Sequence, residues 1–123
     1  MWSLAYHEGF QTTAKGFLKR HRNPFTQAIA NVQDLVEFLS LEASMTIQQA
    51  TQPKCYHNEK QGLYAADQSP SRRGVAEIRL YFYPDEVTRT VHLIRIGDKD
   101  SQQKDIALCR PIVEQIRNSS RQA

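Results

Sequence analysis

The sequence predicts an α+β fold: a small antiparallel sheet with an N-terminal helical hairpin packed on it and a C-terminal helix. Three observations carry this prediction. From Val75 to Tyr83, Ala76, Ile78, Leu80 and Phe82 alternate with Glu77, Arg79, Tyr81 and Tyr83, the period-two pattern of a strand with two distinct faces. The turn signal Pro84-Asp85-Glu86 then separates this run from a second extended stretch, Thr88 to Ile96. Outside this hairpin, apolar residues recur at helical spacing, at Phe10, Ala14, Phe17 and Leu18, at Phe25, Ile29, Val32, Val36 and Leu39, and at Ile106, Cys109, Ile112, Val113 and Ile116. The implied order is β-α-α-β-β-β-α, with the helices on one face of the sheet.

Each element has its local cause. Trp2 to Tyr6 reads as a short strand, interrupted by His7-Glu8-Gly9. The first helix ends near His21-Arg22-Asn23-Pro24, because proline disfavours helix in the residue before it, and Lys19 and Arg20 complement the dipole of its last turn. A second helix starts at Pro24 or Phe25, where a missing N–H costs nothing, and its pattern weakens beyond Ser40. Polar Thr51 to Gln61, with Pro53, reads as a loop, Gly62 to Asp67 as a strand, and Gln68 to Gly74 as a polar connector. Asp100 and Gln103 suit a capping box for the last helix. Pro111 should kink or split that helix, and Asn118 to Ala123 should fray.

At 123 residues the chain reads as one domain, 1–123, and its 24% charged and 40% hydrophobic residues are ordinary for a soluble globular protein. No apolar run reaches membrane-spanning length, and the expected compartment is the cytoplasm. Cys55 and Cys109 fit reduced thiols better than a disulfide framework. Cys55-Tyr56-His57 lacks a second ligand pair at metal-type spacing, so neither metal nor cofactor is expected. The net charge of +3 is compatible with a nucleic-acid partner, and its arrangement says more than its sum. Lys15, Lys19, Arg20, His21 and Arg22 cluster early, Arg72 and Arg73 precede the hairpin, and Arg79, Arg89, Arg95 and Lys99 line it.

The hairpin's register decides what its polar face can do. A four-residue loop, Pro84 to Val87, sets Tyr83 opposite Thr88, Tyr81 opposite Thr90 and Arg79 opposite His92. It also keeps Ile78–Leu93 and Leu80–Val91 together on the core side. Arg79, Tyr81, Thr90 and His92 then form one polar patch, with Tyr81 and His92 as candidates for base stacking or proton transfer.

This element order resembles the RelE/ParE superfamily of bacterial toxins, and most closely its RelE and HigB-type messenger-RNA interferases. The likeness rests on Gly62-Leu63-Tyr64, on Ile78-Arg79-Leu80-Tyr81-Phe82 and on Ile96-Gly97-Asp98-Lys99-Asp100-Ser101-Gln102. It covers the C-terminal half well and the N-terminal helices by position only. The resemblance implies a cytoplasmic toxin neutralised by a cognate antitoxin protein, acting on mRNA in the ribosome by attack of a 2′-hydroxyl on the adjacent phosphate. That chemistry needs a base, a proton donor and cations for the developing charge. By the resemblance, Arg79 and Lys99 are the cations and Gln102 a further contact. Arg72, Arg73, Arg95, Lys19 and Arg20 are the expected RNA-binding residues.

One departure stands out. Family members commonly carry Glu-x-Arg after the Gly-Leu-Tyr segment, where this chain has Ala65-Ala66-Asp67-Gln68, so a basic residue is missing unless Arg72 or Arg73 replaces it. The rival reading is a non-catalytic binding protein on the same fold, either a gyrase-directed toxin or a degenerate homologue. Lys99, between Asp98 and Asp100, also has a plainer explanation as a surface ion-pair partner, and the oligomeric state stays open.

Overall fold

The computed structural model of the chain describes residues 1–70 and 77–122. Arg72 and Arg73 lie outside the described residues. The elements run β1 (Ser3–Tyr6), α1 (Glu8–Arg20), α2 (Arg22–Leu41), α3 (Ile47–Ala50), β2 (Tyr56–Asn58), β3 (Tyr64–Ala66), β4 (Ile78–Asp85), β5 (Thr90–Asp98) and α4 (Gln102–Gln122). The strands form one sheet in the order β1-β5-β4-β3-β2.

The α+β class holds, with two differences in architecture. The sheet is mixed, because β1 pairs in parallel with β5 while the other pairs are antiparallel. The helices cover both faces instead of one. Ile78, Leu80 and Phe82 join Val91, Leu93 and Ile96 beneath α1 and α2, and Phe10, Val32, Leu35 and Leu39 close that core. The alternate residues Tyr81 and Tyr83 pack with Leu63, Ala65 and Ile94 against Cys109 and Val113 of α4. The expected alternation of β4 is present, but the face read as polar is roofed by α4, whose own apolar stripe must also be buried. Fully burying a side chain such as Phe82 or Leu80 contributes about 1.5–3 kcal/mol, so both faces are stabilising surfaces.

The hairpin exists, but its register is four residues from the expected one next to the turn and five beyond the bulge. Asp85 pairs with Thr90, Tyr83 with His92, Tyr81 with Arg95 and Arg79 with Gly97, leaving Glu86 to Arg89 as the turn. Pro84 is therefore in the strand. The strand tolerates it because β3 reaches only to Tyr64 opposite Phe82, so Pro84 has sheet on one side alone. Between Tyr81 and Phe82 the ladder skips Ile94, a bulge that sends both Ile94 and Arg95 to the α4 side. Thr13 of α1 seats on this bulge, its Oγ1 accepting from the Ile96 N–H at 3.1 Å and donating to Gly9 O at 2.7 Å. Gly9 permits that approach, since a Cβ there would lie 2.9 Å from Ile94 O.

Three local expectations also change. The stretch read as a loop contains β2, and a capping box at Thr46 with Gln49 starts the short α3. α4 begins at Gln102, later than an Asp100 cap would set it, and continues through Pro111 as one element. Its end is anchored, because Ser120 is buried and donates to Asp85 Oδ2 and to Ile116 O.

Candidate functional site

Four elements meet where β4 begins. Arg79 enters from β4, His57 from β2, Asp67 from just beyond β3, and Lys99 from the turn between β5 and α4. Arg79 is only 7% exposed. Its Nη1 lies 2.7 Å from His57 Nε2 and 3.4 Å from Asp67 Oδ2, and its Nη2 lies 3.0 Å from Glu77 Oε1. Lys99 Nζ reaches the other oxygen of the same carboxylate at 3.6 Å, so Glu77 bridges the two cations. The Nε donor of Arg79 has no hydrogen-bond partner among the described residues.

His57 Nε2 is also 2.8 Å from Asp67 Oδ2. One imidazole nitrogen cannot accept from Arg79 and donate to Asp67 at once. The neutral Nδ1–H tautomer accepts a hydrogen bond from the guanidinium at Nε2, and a hydrogen on Nε2 instead donates to Asp67. Burial opposes the Asp67 charge, but hydrogen bonds from Ser69 and His57 outweigh it and hold the carboxyl below its ordinary range. A partly exposed imidazole, two cations and two carboxylates thus share one end of the sheet.

The remaining expected residues divide sharply. Gln102 opens α4 within the same turn, its N–H 3.4 Å from Lys99 O. Arg95 is on the same face but committed, its Nε donating at 2.7 Å to Asp105, which is 2% exposed and also accepts from Ser101 at 2.6 Å. Tyr81 is wholly buried, with no face to offer a base, and its hydroxyl has no partner among the described residues. Burial and the nearby Asp105 charge push its phenol well above the ordinary value. His92 shares the α4 side, but opposite Tyr83 it stands about 13 Å along the strand from Arg79, at about 3.3 Å per residue. Its Nδ1 lies 2.8 Å from His7 Nε2, and its ring stacks on Tyr83 with centroids 6.2 Å apart. The expected Arg79–Tyr81–Thr90–His92 patch is therefore not formed. Lys19 and Arg20 are exposed at the end of α1, beyond the opposite face of the sheet.

Sequence reasoning missed His57, Asp67 and Glu77 as parts of this cluster. Cys55-Tyr56-His57 attracted notice only as a metal hint, and a three-residue edge strand is too short for alternation to reveal. Among the described residues no group of three or more His, Cys, Asp or Glu is placed to hold a metal ion, and no helix is long and apolar enough to cross a membrane. Cys109 lies in the core as its helical stripe implied, with burial pushing its thiol up to about 12. A cleft of about 490 Å³ at the far end of β4 is lined by Tyr64, Tyr83, Asp85, Arg117 and Arg121, and by none of Arg79, His57, Asp67 or Lys99. Comparison with family models, with curated proteins and with solved structures finds no match to this chain.

Proposed function

We propose that this protein is the toxin of a type II toxin–antitoxin pair and cleaves mRNA on the ribosome, with Arg79, Lys99 and His57 as its working groups. The observation that carries the reading is the 2.7 Å contact between a buried guanidinium and an imidazole 33% exposed at its side chain, with a second cation tied to the carboxylate that Arg79 also holds. In the reaction a base takes the proton of the ribose 2′-hydroxyl, and the freed oxygen bonds to the adjacent phosphorus. The bond to the 5′-oxygen then breaks, and that oxygen takes up a proton. His57 is the proposed base, its imidazole being the one side chain of the cluster that can either accept or donate a hydrogen bond at the same nitrogen. Arg79 meets the charge growing on the phosphoryl oxygens through its guanidinium. Lys99, largely exposed beside it, supplies the second positive charge. The antitoxin would neutralise the protein by covering the basic face or displacing α4, in the cytoplasm where message and ribosome are found.

One observation favours a second reading. Asp67 and Glu77 already balance the charge of Arg79, as they would in a purely structural network. On that reading the protein is a non-catalytic binder on the same fold, directed at gyrase or another target.

Induced expression in a bacterial host, with 5′ ends mapped on abundant messages, separates the two. The nucleolytic reading expects new ends inside coding regions that vanish in Arg79→Lys and His57→Gln but persist in His92→Gln. Growth arrest with intact messages would transfer the assignment to the binding reading.

A further inference from the structure

His57 reaches Arg79 from an edge strand with little of its own to hold it. β2 has three residues and, among the described residues, pairs only with β3, itself three residues long. At the far end of this hairpin the chain turns through Lys60, Gln61 and Gly62, with φ of 74°, 56° and 87°. Three left-handed residues in succession, two of them with side chains, form a turn that does not persist unless its surroundings impose it.

Those surroundings are two arginines of α4. Arg110 Nη2 donates to Glu59 O and its Nη1 to Lys60 O, both at 2.6 Å. Arg117 Nη2 donates to Gln61 O at 2.7 Å. Three consecutive carbonyls are thus taken by two guanidiniums seven positions apart, about two helical turns, on one side of the helix. Arg110 has no carboxylate partner among the described residues, so its fork is spent on backbone. Arg117 is itself fixed, by Glu114 at 2.6 Å and by the Tyr83 ring, whose centroid lies 5.5 Å from its guanidinium carbon. The fit leaves no room at Gly62, where a Cβ would lie 2.7 Å from Arg117 Nη2. At the hairpin's other end, Tyr56 donates to Asn31 O of α2 at 2.5 Å, and Asn31 donates to Asp67 O at 2.8 Å.

We infer that Arg110 and Arg117 are positioning residues for the His57–Arg79 contact: by gripping the carbonyls of the left-handed turn, they set where β2 lies and so where His57 Nε2 meets the guanidinium. The catalytic consequence rests on the nucleolytic reading above, whereas the positional claim does not.

The test is the Arg110→Gln, Arg117→Gln double variant of the full chain, compared with wild type and with Lys104→Gln, which removes an exposed charge from the same helix. The imidazole ¹⁵N resonances of His57, which report the bond at Nε2, should shift in the double variant and stay in place in the Lys104 control. The turn amides of Glu59 and Leu63 should exchange about tenfold faster or more, while those of β4 and β5 keep their protection. On ribosomes, cleavage should fall about tenfold or more through kcat with KM kept, the mark of misplaced chemistry rather than lost binding. An unmoved His57 resonance with unchanged turn exchange would overturn the inference. Should the double variant fail to fold, Arg110→Lys supplies the same readouts, since it keeps the charge and loses the two-pronged fork. A shifted resonance in a protein that never cleaves RNA would leave the grip standing and sink the nucleolytic reading.

Discussion

Arg79 and His57 meet across a strand to which neither belongs. β2 and β4 are separated by β3, and in the ladder Ala65 stands between His57 and Tyr81. Across it the guanidinium and the imidazole come within 2.7 Å.

The charges around this contact are unequal in weight. Arg79 and Asp67 each keep only 9% of their side-chain surface, so Arg79→Ala takes one partner from a buried carboxylate that keeps Ser69 and His57, and should cost about 1–3 kcal/mol. Lys99 is 66% exposed at its side chain, and Lys99→Ala should change stability by no more than about 0.5 kcal/mol. Urea denaturation of both variants checks the contrast, and equal losses would mean that the Arg79 network is solvated.

Tyr81 gives a cleaner test of role. Its hydroxyl is buried without a partner among the described residues, so Tyr81→Phe removes a desolvated polar group while keeping the ring. The expected outcome is unchanged or improved stability, by about 1 kcal/mol, and, on the nucleolytic reading, unchanged cleavage. A large loss of cleavage would restore Tyr81 to the chemistry.

Acid sensitivity should come from the His7–His92 pair. Burial lowers the pKa of His7, and burial with the neighbouring His7 charge lowers that of His92. Their 2.8 Å contact also needs one ring to accept, which two protonated rings cannot do. Because both folded values lie below 6.5, the contribution is complete above that pH and is lost as pH falls through the folded values. Melting curves from pH 8 to pH 5 should show Tm falling in wild type and a shallower fall in His92→Gln. Parallel curves would count against the pair.

Gly97 is fixed by packing. It faces Arg79 in the ladder, and a methyl group there would run into the Asp105 carboxylate, which Arg95 and Ser101 hold. Gly97→Ala should destabilise by about 2–3 kcal/mol, measured by denaturation. A neutral result would mean that the Asp105 network yields easily.

The sequence made the main features of the fold legible through periodicity. The alternation in β4, the stripes of α1 and α2 and the apolar line of α4 each point to the surface they bury. The register was not legible, because Pro84-Asp85-Glu86 carries the same turn signal whether proline lies in the turn or ends a strand with a one-sided neighbour. A bulge at Ile94, stabilised by Thr13 from a distant helix, leaves no local trace. At the candidate site, the motifs marked Arg79 and Lys99, which the structure brings together at Glu77. His57 and Asp67 were not legible as a pair, since only the meeting of β2 and β3 sets them side by side. His92 was chosen from a pairing that the real turn shifts away.

The parallel pairing of β1 with β5 has a consequence for how the molecule is made. Ser3 to Tyr6 dock on Thr90 to Leu93, so β1 has no neighbour in the sheet until β5 has been synthesised. β5 also supplies the bulge on which α1 seats. Such distant closure slows assembly, because the entropy of ordering the intervening chain is lost before the pairing rewards it. The nascent α1 must wait with its apolar stripe uncovered, and a chain interrupted before β5 leaves the β2-β3-β4 ladder to α2 alone.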